Sequence, residues 1–153
     1  MALGRRLLEI GAAVVIVIGA MVVLLPPGVG EGVTNNIRKR FPVDGVELLR
    51  RTQPDANVLA DYGWGGYVIH ELYPSGGRVF VDGRNDMYDQ QILEDYDAIR
   101  EAEPGWQQLA DSYDVEAILI KPDAALTKGP AVAAGWCEAL RDETQVLYLR
   151  DCP

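Results

Sequence analysis

Residues 57–88, NVLADYGWGGYVIHELYPSGGRVFVDGRNDMY, constrain the fold more than any other part of the chain. Val58, Leu59 and Ala60 form a short apolar strand that runs into Asp61. Gly63, Gly65 and Gly66 then take the Cβ atoms out of a turn, which reopens as a helix over 67–72. A second strand over 78–81 delivers Asp82, Arg84 and Asp86 together at its C-terminal end. This is the layout of an open α/β sheet, in which polar residues gather just past the strand ends, in the crevice that such sheets use for ligands.

The runs VLADYGWGGYVIHEL and VFVDGRNDMY resemble the extracytoplasmic C-terminal domain of multi-spanning, lipid-sugar-dependent glycosyltransferases. They are more distantly similar to the catalytic subunit of oligosaccharyltransferase, whose WWDYG motif sits at the same strand-to-helix turn and contacts the acceptor peptide. Asp61, Tyr62 and Gly63 match that motif, while Leu59 and Ala60 stand where it has tryptophans. The resemblance covers most of 41–150. It implies a domain held at a membrane, outside the cytoplasm, with a lipid-linked sugar or a multi-spanning membrane protein as partner. In that superfamily the metal-binding or base carboxylates mostly sit on loops between transmembrane helices, so the resemblance implies a domain that contributes contacts and does not catalyse alone.

The N-terminus reads MALGRRLLEIGAAVVIVIGAMVVLLPP. Residues 10–25 are sixteen in a row without a charge, and Leu7 and Leu8 lengthen the run when Glu9 lies at the headgroup level. Nineteen residues at the helical rise span roughly 28 Å, which crosses a hydrocarbon core. The segment is apolar all round, which argues against a soluble core helix. A cleaved signal peptide is the other reading, but the run is long for an h-region and no A-x-A site follows it. We read 1–27 as a retained transmembrane helix at the cell membrane, 28–40 as a linker, with helix breakers over 26–32 and an entry helix or turn over 34–40, and 41–153 as an extracytoplasmic α/β domain. Arg5 and Arg6 flank the span on one side and Arg38, Lys39 and Arg40 lie beyond the other, so basic residues alone leave its orientation close to a tie. Those three residues either face headgroups or form a solvated charge run. The first 27 residues hold Arg5, Arg6 and Glu9 as their only charged side chains, which leaves 12 basic and 22 acidic ones to the rest. That balance argues against a nucleic-acid or anionic-lipid surface.

Further along, Asp44 reads as the N-cap of a helix over 45–52. Ile92, Leu93, Tyr96 and Ile99 give 88–102 a helical spacing, and a short helix over 105–113 turns Trp106 and Leu109 inward. AILIK, 117–121, is too apolar for an exposed strand and reads as a central one. Pro130 opens a helix over 130–141, and 144–150 alternates as a final strand nearer the edge. Four strands interleaved with helices predict a small Rossmann-like α/β domain with a mostly parallel sheet. DYGWGGY lacks the G-x-G-x-x-G spacing, so no dinucleotide is expected.

Chemistry-bearing constellations are few. His70, the single histidine, reads as a packed residue. Ser75 and Ser112 stand in no nucleophile-elbow pattern, and one histidine with two distant cysteines makes no zinc site. The carboxylates at the strand ends are better candidates. Asp61, Asp82 and Asp86 converging with Arg84 offer oxygen ligands that suit Mg²⁺, Mn²⁺ or Ca²⁺; the alternative is an ion-pair network in which Arg84 binds Asp61 or Asp86 and fixes the turn. No other cofactor is expected. Tyr62, Trp64, Tyr67, Tyr73 and Tyr88 cluster around the glycine turn, either to stack on sugar rings or as a packed core layer. The candidate ligand-binding set is therefore Asp61, Tyr62, Trp64, Gly65, Gly66, Tyr67, Asp82, Arg84, Asp86 and Tyr88. Cys137 and Cys152 either form a disulfide, as two cysteines in an extracytoplasmic domain often do, or remain independent thiols. With Cys137 on a helix, the last strand overshoots it unless the tail bends back. Two functions follow: a glycosyltransferase-like domain contributing acceptor or lipid-sugar contacts, or a non-enzymatic membrane-anchored module that binds a multi-spanning partner.

Overall fold

The computed structural model describes residues 29–128 and 135–150, and the chain divides into two compact units, 1–36 and 37–153. The second unit is a mixed α/β domain built on a five-stranded sheet of order β2-β1-β3-β5-β4. Its strands are β1 (Asn57–Ala60), β2 (Arg78–Val79), β3 (Ala117–Ile120), β4 (Trp136–Arg141) and β5 (Val146–Arg150). The AILI run of β3 is buried throughout and lies at the middle of the sheet, as its apolarity requires.

The helices are α1 (Val29–Arg40), α2 (Val43–Thr52), α3 (Gly65–Leu72), α4 (Gln90–Arg100) and α5 (Trp106–Ser112). Side-chain alternation along the strands sorts two apolar layers. Val58 and Ala60 of β1, Ala117 and Leu119 of β3, and Leu147 and Leu149 of β5 pack with Val46 and Leu49 of α2 and Val68 and Leu72 of α3. Leu59, Ile118, Ile120, Val146 and Tyr148 face the other way, onto Tyr96 and Ile99 of α4 and Trp106 and Ala110 of α5. Each fully buried Leu or Ile contributes about 1.5–3 kcal/mol by leaving water. The two crossovers therefore run on opposite faces: β1 reaches β2 through α3, and β2 reaches β3 through α4 and α5.

The sheet is only partly parallel. β1 pairs parallel with β2 and β3, in register Val58↔Ala117 and Ala60↔Leu119, but β5 runs antiparallel to both β3 and β4. The predicted helix over 130–141 is instead strand β4 from Trp136 onward; 129–134 lie outside the described residues. Gly135, at φ +83°, lets the chain turn into that strand. The hairpin is closed by Asp142, whose Oδ1 accepts from Thr144 N at 2.7 Å and Gln145 N at 3.0 Å. With β4 outside it, β5 is an inner strand and not an edge one, which explains why both of its alternating sets are apolar. Asp44 does not cap α2: Pro42 holds that position without a side-chain bond, while Asp44 pairs with Arg38.

The segment 34–40, read as an entry helix or turn, is helical, and the helix α1 reaches back to Val29 into the stretch read as helix breakers; Arg38, Lys39 and Arg40 fill its last turn, at the negative end of the helix dipole. The expected transmembrane helix over 1–27 lies outside the described residues. Among those described, no helix is long and apolar enough to cross a membrane.

Candidate functional site

Asp61 directly follows β1. Its N–H donates to Leu119 O at 2.8 Å, its carbonyl accepts from Trp64 N at 2.8 Å, and its Oδ1 accepts from Gly63 N at 3.3 Å. The residue thus ends the strand and caps the 3-10 turn Tyr62–Trp64 at once. Lys121 directly follows β3 and donates from Nζ to Asp61 Oδ1 at 2.8 Å. β1 and β3 are parallel neighbours, so both side chains leave the same carboxyl edge of the sheet. Asp61 is buried while the Lys121 side chain is half exposed, so the ammonium compensates a carboxylate that the fold has taken out of water.

The chain leaves these two strands toward opposite faces. After β1 it enters the layer of Trp64 and Val68; after β3 it enters the layer of Ala124 and Leu126. Such a divergence opens a crevice at the carboxyl ends of adjacent parallel strands. Here it is a cavity of about 470 Å³, lined by Asp61, Tyr62 and Gly63 on one side, by Leu93, Tyr96, Asp97 and Arg100 of α4 on the other, and by Lys121. The four α4 residues share one helix face. Tyr96 is 4% exposed, its ring 6.4 Å from those of Tyr62 and Phe80. Its hydroxyl oxygen is buried and makes no hydrogen bond of ordinary geometry. Burial, and next the nearby Asp61 charge, push that hydroxyl well above the usual phenol range.

A second polar network lies past β2. Asp82 is buried and grips Arg84: Nε donates to Oδ2 at 2.9 Å and to Oδ1 at 3.1 Å, Nη2 lies 2.6 Å from Oδ2, and the Arg84 N–H donates to Oδ1 at 3.0 Å. The Asp82 N–H in turn donates to Tyr88 Oη at 3.2 Å. The hydrogen-bonded guanidinium holds the Asp82 carboxyl below the ordinary carboxylate range. Burial, then the charge of Asp82, raises Tyr88.

The sequence-predicted residues are therefore distributed over several places. Asp61 and Tyr62 line the crevice. Arg84 takes Asp82 as partner in place of Asp61 or Asp86, and Asp86 stands exposed on the 3-10 turn Asn85–Met87. Among the described residues no three acidic, histidine or cysteine side chains are placed to hold a metal ion. The aromatic cluster disperses as well. Tyr62 and Tyr88 pack on one layer; Trp64 and Tyr67 belong to the other, Tyr67 with its ring 5.0 Å from that of Phe41; and Tyr73 is exposed at the far end of α3. Gly65 is needed where α3 starts against Val81 and Asp82, whereas Gly66 faces open space. His70, expected to be packed, is exposed. Lys121, Tyr96 and Arg100 complete the crevice and are absent from the sequence-based set, although Lys121 ends the AILIK strand as Asp61 ends NVLA.

Cys137 is disulfide-bonded, and the chain's one other cysteine is Cys152, outside the described residues. Because 136–141 is a strand and not a helix, Trp136 lies opposite Arg150. The start of β4 is thus beside the end of β5, and the overshoot expected for a helix does not arise.

No family model, curated protein or solved structure matches the chain. The geometry of the crevice and the residues that line it therefore carry the functional reading.

Proposed function

We propose that this chain is the membrane-anchored, extracytoplasmic domain of a glycosyltransferase-like membrane protein, and that its crevice contributes acceptor or lipid-linked sugar contacts. The observation that carries the reading is the open cavity at the carboxyl ends of β1 and β3, where the Asp61–Lys121 pair and Tyr62 and Tyr96 converge. Carboxylate and ammonium offer an acceptor and donors to sugar hydroxyls, the tyrosines supply ring edges, and the balanced charges suit a neutral polyol. The resemblance of DYGWGGY and VDGRNDMY to that family supports the same turn as the contact region, and the apolar run of 1–27 supports the anchor.

Saturation-transfer NMR on the full chain in neutral detergent micelles tests the reading, with methyl glucoside, methyl mannoside and methyl N-acetylglucosaminide as probes. Transfer to at least one glycoside is expected, and Asp61→Asn or Lys121→Met removes it. Transfer that survives both substitutions, or that no glycoside shows, contradicts a sugar-contacting crevice.

A further inference from the structure

Lys121 lines a second pocket on its other side, and the company it keeps there is different. This pocket, about 340 Å³, is formed by Lys39 and Arg40 from the end of α1, by Trp64, and by Lys121 and Thr144, with Asp123 and Glu143 also on its walls. The chain has only three lysines, and two of them are here. Trp64 fixes the geometry: its buried indole donates from Nε1 to Arg40 O at 2.9 Å, tying the end of α1 to the turn after β1, and its ring lies 5.5 Å from Lys121 Nζ. Thr144 Oγ1 donates to Arg38 O at 3.4 Å, which holds the β4–β5 hairpin against the same helix end. Of the four basic side chains around this helix end, Arg38 pairs with Asp44 and Lys121 with Asp61, while Lys39 and Arg40 form no ion pair among the described residues.

A chain of net charge −9 thus gathers three cations around one concave site and leaves two of them without a carboxylate partner. Asp123 and Glu143 are exposed and form no ion pair with the three cations; water and salt screen their repulsion of a bound anion as they screen the attraction of the equally exposed Lys39 and Arg40. The overall negative charge opposes a broad anionic surface, but a compact anion answers to the local field. Tetrahedral phosphate presents several acceptor oxygens to one guanidinium and two ammonium groups at once, the geometry for which arginine and lysine are suited. We infer that the Lys39, Arg40 and Lys121 pocket over Trp64 is a phosphate-binding site, which shares Lys121 with the Asp61 crevice and does not depend on whether that crevice takes a sugar. Its ligand is a phosphate monoester or diester, either free in solution or carried as a lipid headgroup.

Competitive amine labelling of the full chain tests this with Lys128 as internal reference. In neutral micelles, titration with sodium phosphate is expected to slow acylation of Lys39 and Lys121 while Lys128 is unchanged, the slowing reaching roughly tenfold at about ten times the dissociation constant. Sodium chloride at matched ionic strength gives no such protection. In nanodiscs without free phosphate, phosphatidylglycerol in place of phosphatidylcholine protects the same two lysines if the phosphate is a headgroup. Arg40→Gln keeps the backbone carbonyl that Trp64 uses; it is expected to abolish protection at both lysines with the melting temperature unchanged. Protection by phosphate alone assigns a soluble ligand, and protection by phosphatidylglycerol assigns a lipid. Equal labelling with neither protecting, protection equalled by chloride, or protection that persists in Arg40→Gln overturns the site.

Discussion

A Cβ on Gly65 would lie 2.5 Å from the carbonyl oxygen of Val81 and 2.7 Å from Asp82 Cα, whereas one on Gly66 meets nothing within 4 Å. The backbone on which the first would collide cannot swing aside as a flexible side chain does. Gly65→Ala is therefore expected to destabilise by about 1–3 kcal/mol. Gly66→Ala, inside α3 and unobstructed, is expected to stabilise by about 0.5–1 kcal/mol through helix propensity. Urea melts of both variants check the pair, and equal effects would contradict the close approach of α3 to Asp82. Asp82 itself makes a prediction in pH. Its folded pKa lies below the ordinary value, chiefly through the hydrogen bonds from the Arg84 guanidinium, so it binds protons more readily when unfolded. The stability it contributes is complete above the unfolded value of about 3.9 and is lost as pH falls through the lower folded value. Arg84→Gln should thus be destabilised at neutral pH, with the gap to the parent closing in acid; a gap that stays constant through that window assigns the loss to something other than this carboxylate. At this scale the sequence exposes Asp61 and Asp82, because each closes an apolar run, VLA before Asp61 and VFV before Asp82, although strand β2 itself stops at Val79. It does not expose their partners: Lys121 is sixty positions from Asp61, and only the β1–β3 register joins them.

Strand identity depended on whether a segment's own pattern outweighed its surroundings. β3 is legible because four consecutive buried apolar residues have one environment, the sheet interior. β1, α3 and α4 are legible for similar local reasons, with Asp89 capping α4 through Oδ1 to Ile92 N at 2.9 Å. β4 is not, since WCEALR carries good helix formers and its strand state comes from pairing with β5. The hairpin signal was in DETQ: Asp142 also accepts from Gln145 Nε2 at 2.8 Å, and Gln145 Oε1 accepts from Gly45 N at 2.8 Å, so one turn aligns β4, β5 and the start of α2. Asp142→Ala removes the turn's side-chain acceptor and is expected to cost about 1–2 kcal/mol in urea melts. The disulfide at Cys137 acts on the same hairpin. Reduction is expected to lower stability by about 3 kcal/mol, as for a loop of some fifteen residues, and free-thiol labelling of the unreduced, denatured protein should modify neither cysteine.

On the scale of the whole molecule, the charge distribution and the N-terminal run bear on location together. The first 27 residues contain Arg5, Arg6 and Glu9 and otherwise no charge, while the remaining 126 carry 22 acidic side chains. We propose that this run anchors the chain, since a bilayer would surround a segment apolar on every side. Apolar burial over a full span holds far more firmly than a surface charge contact, and the two respond differently to alkali. In sodium carbonate at high pH, electrostatic attachment is lost and a transmembrane helix stays with the lipid. The full chain is expected to remain in the membrane pellet after such extraction, with its N-terminal segment intact by mass spectrometry, and a variant lacking 1–27 is expected in the soluble fraction. Recovery of the intact chain in the supernatant, or a mature protein that begins after the apolar run, would refute a retained anchor, whatever the crevice binds.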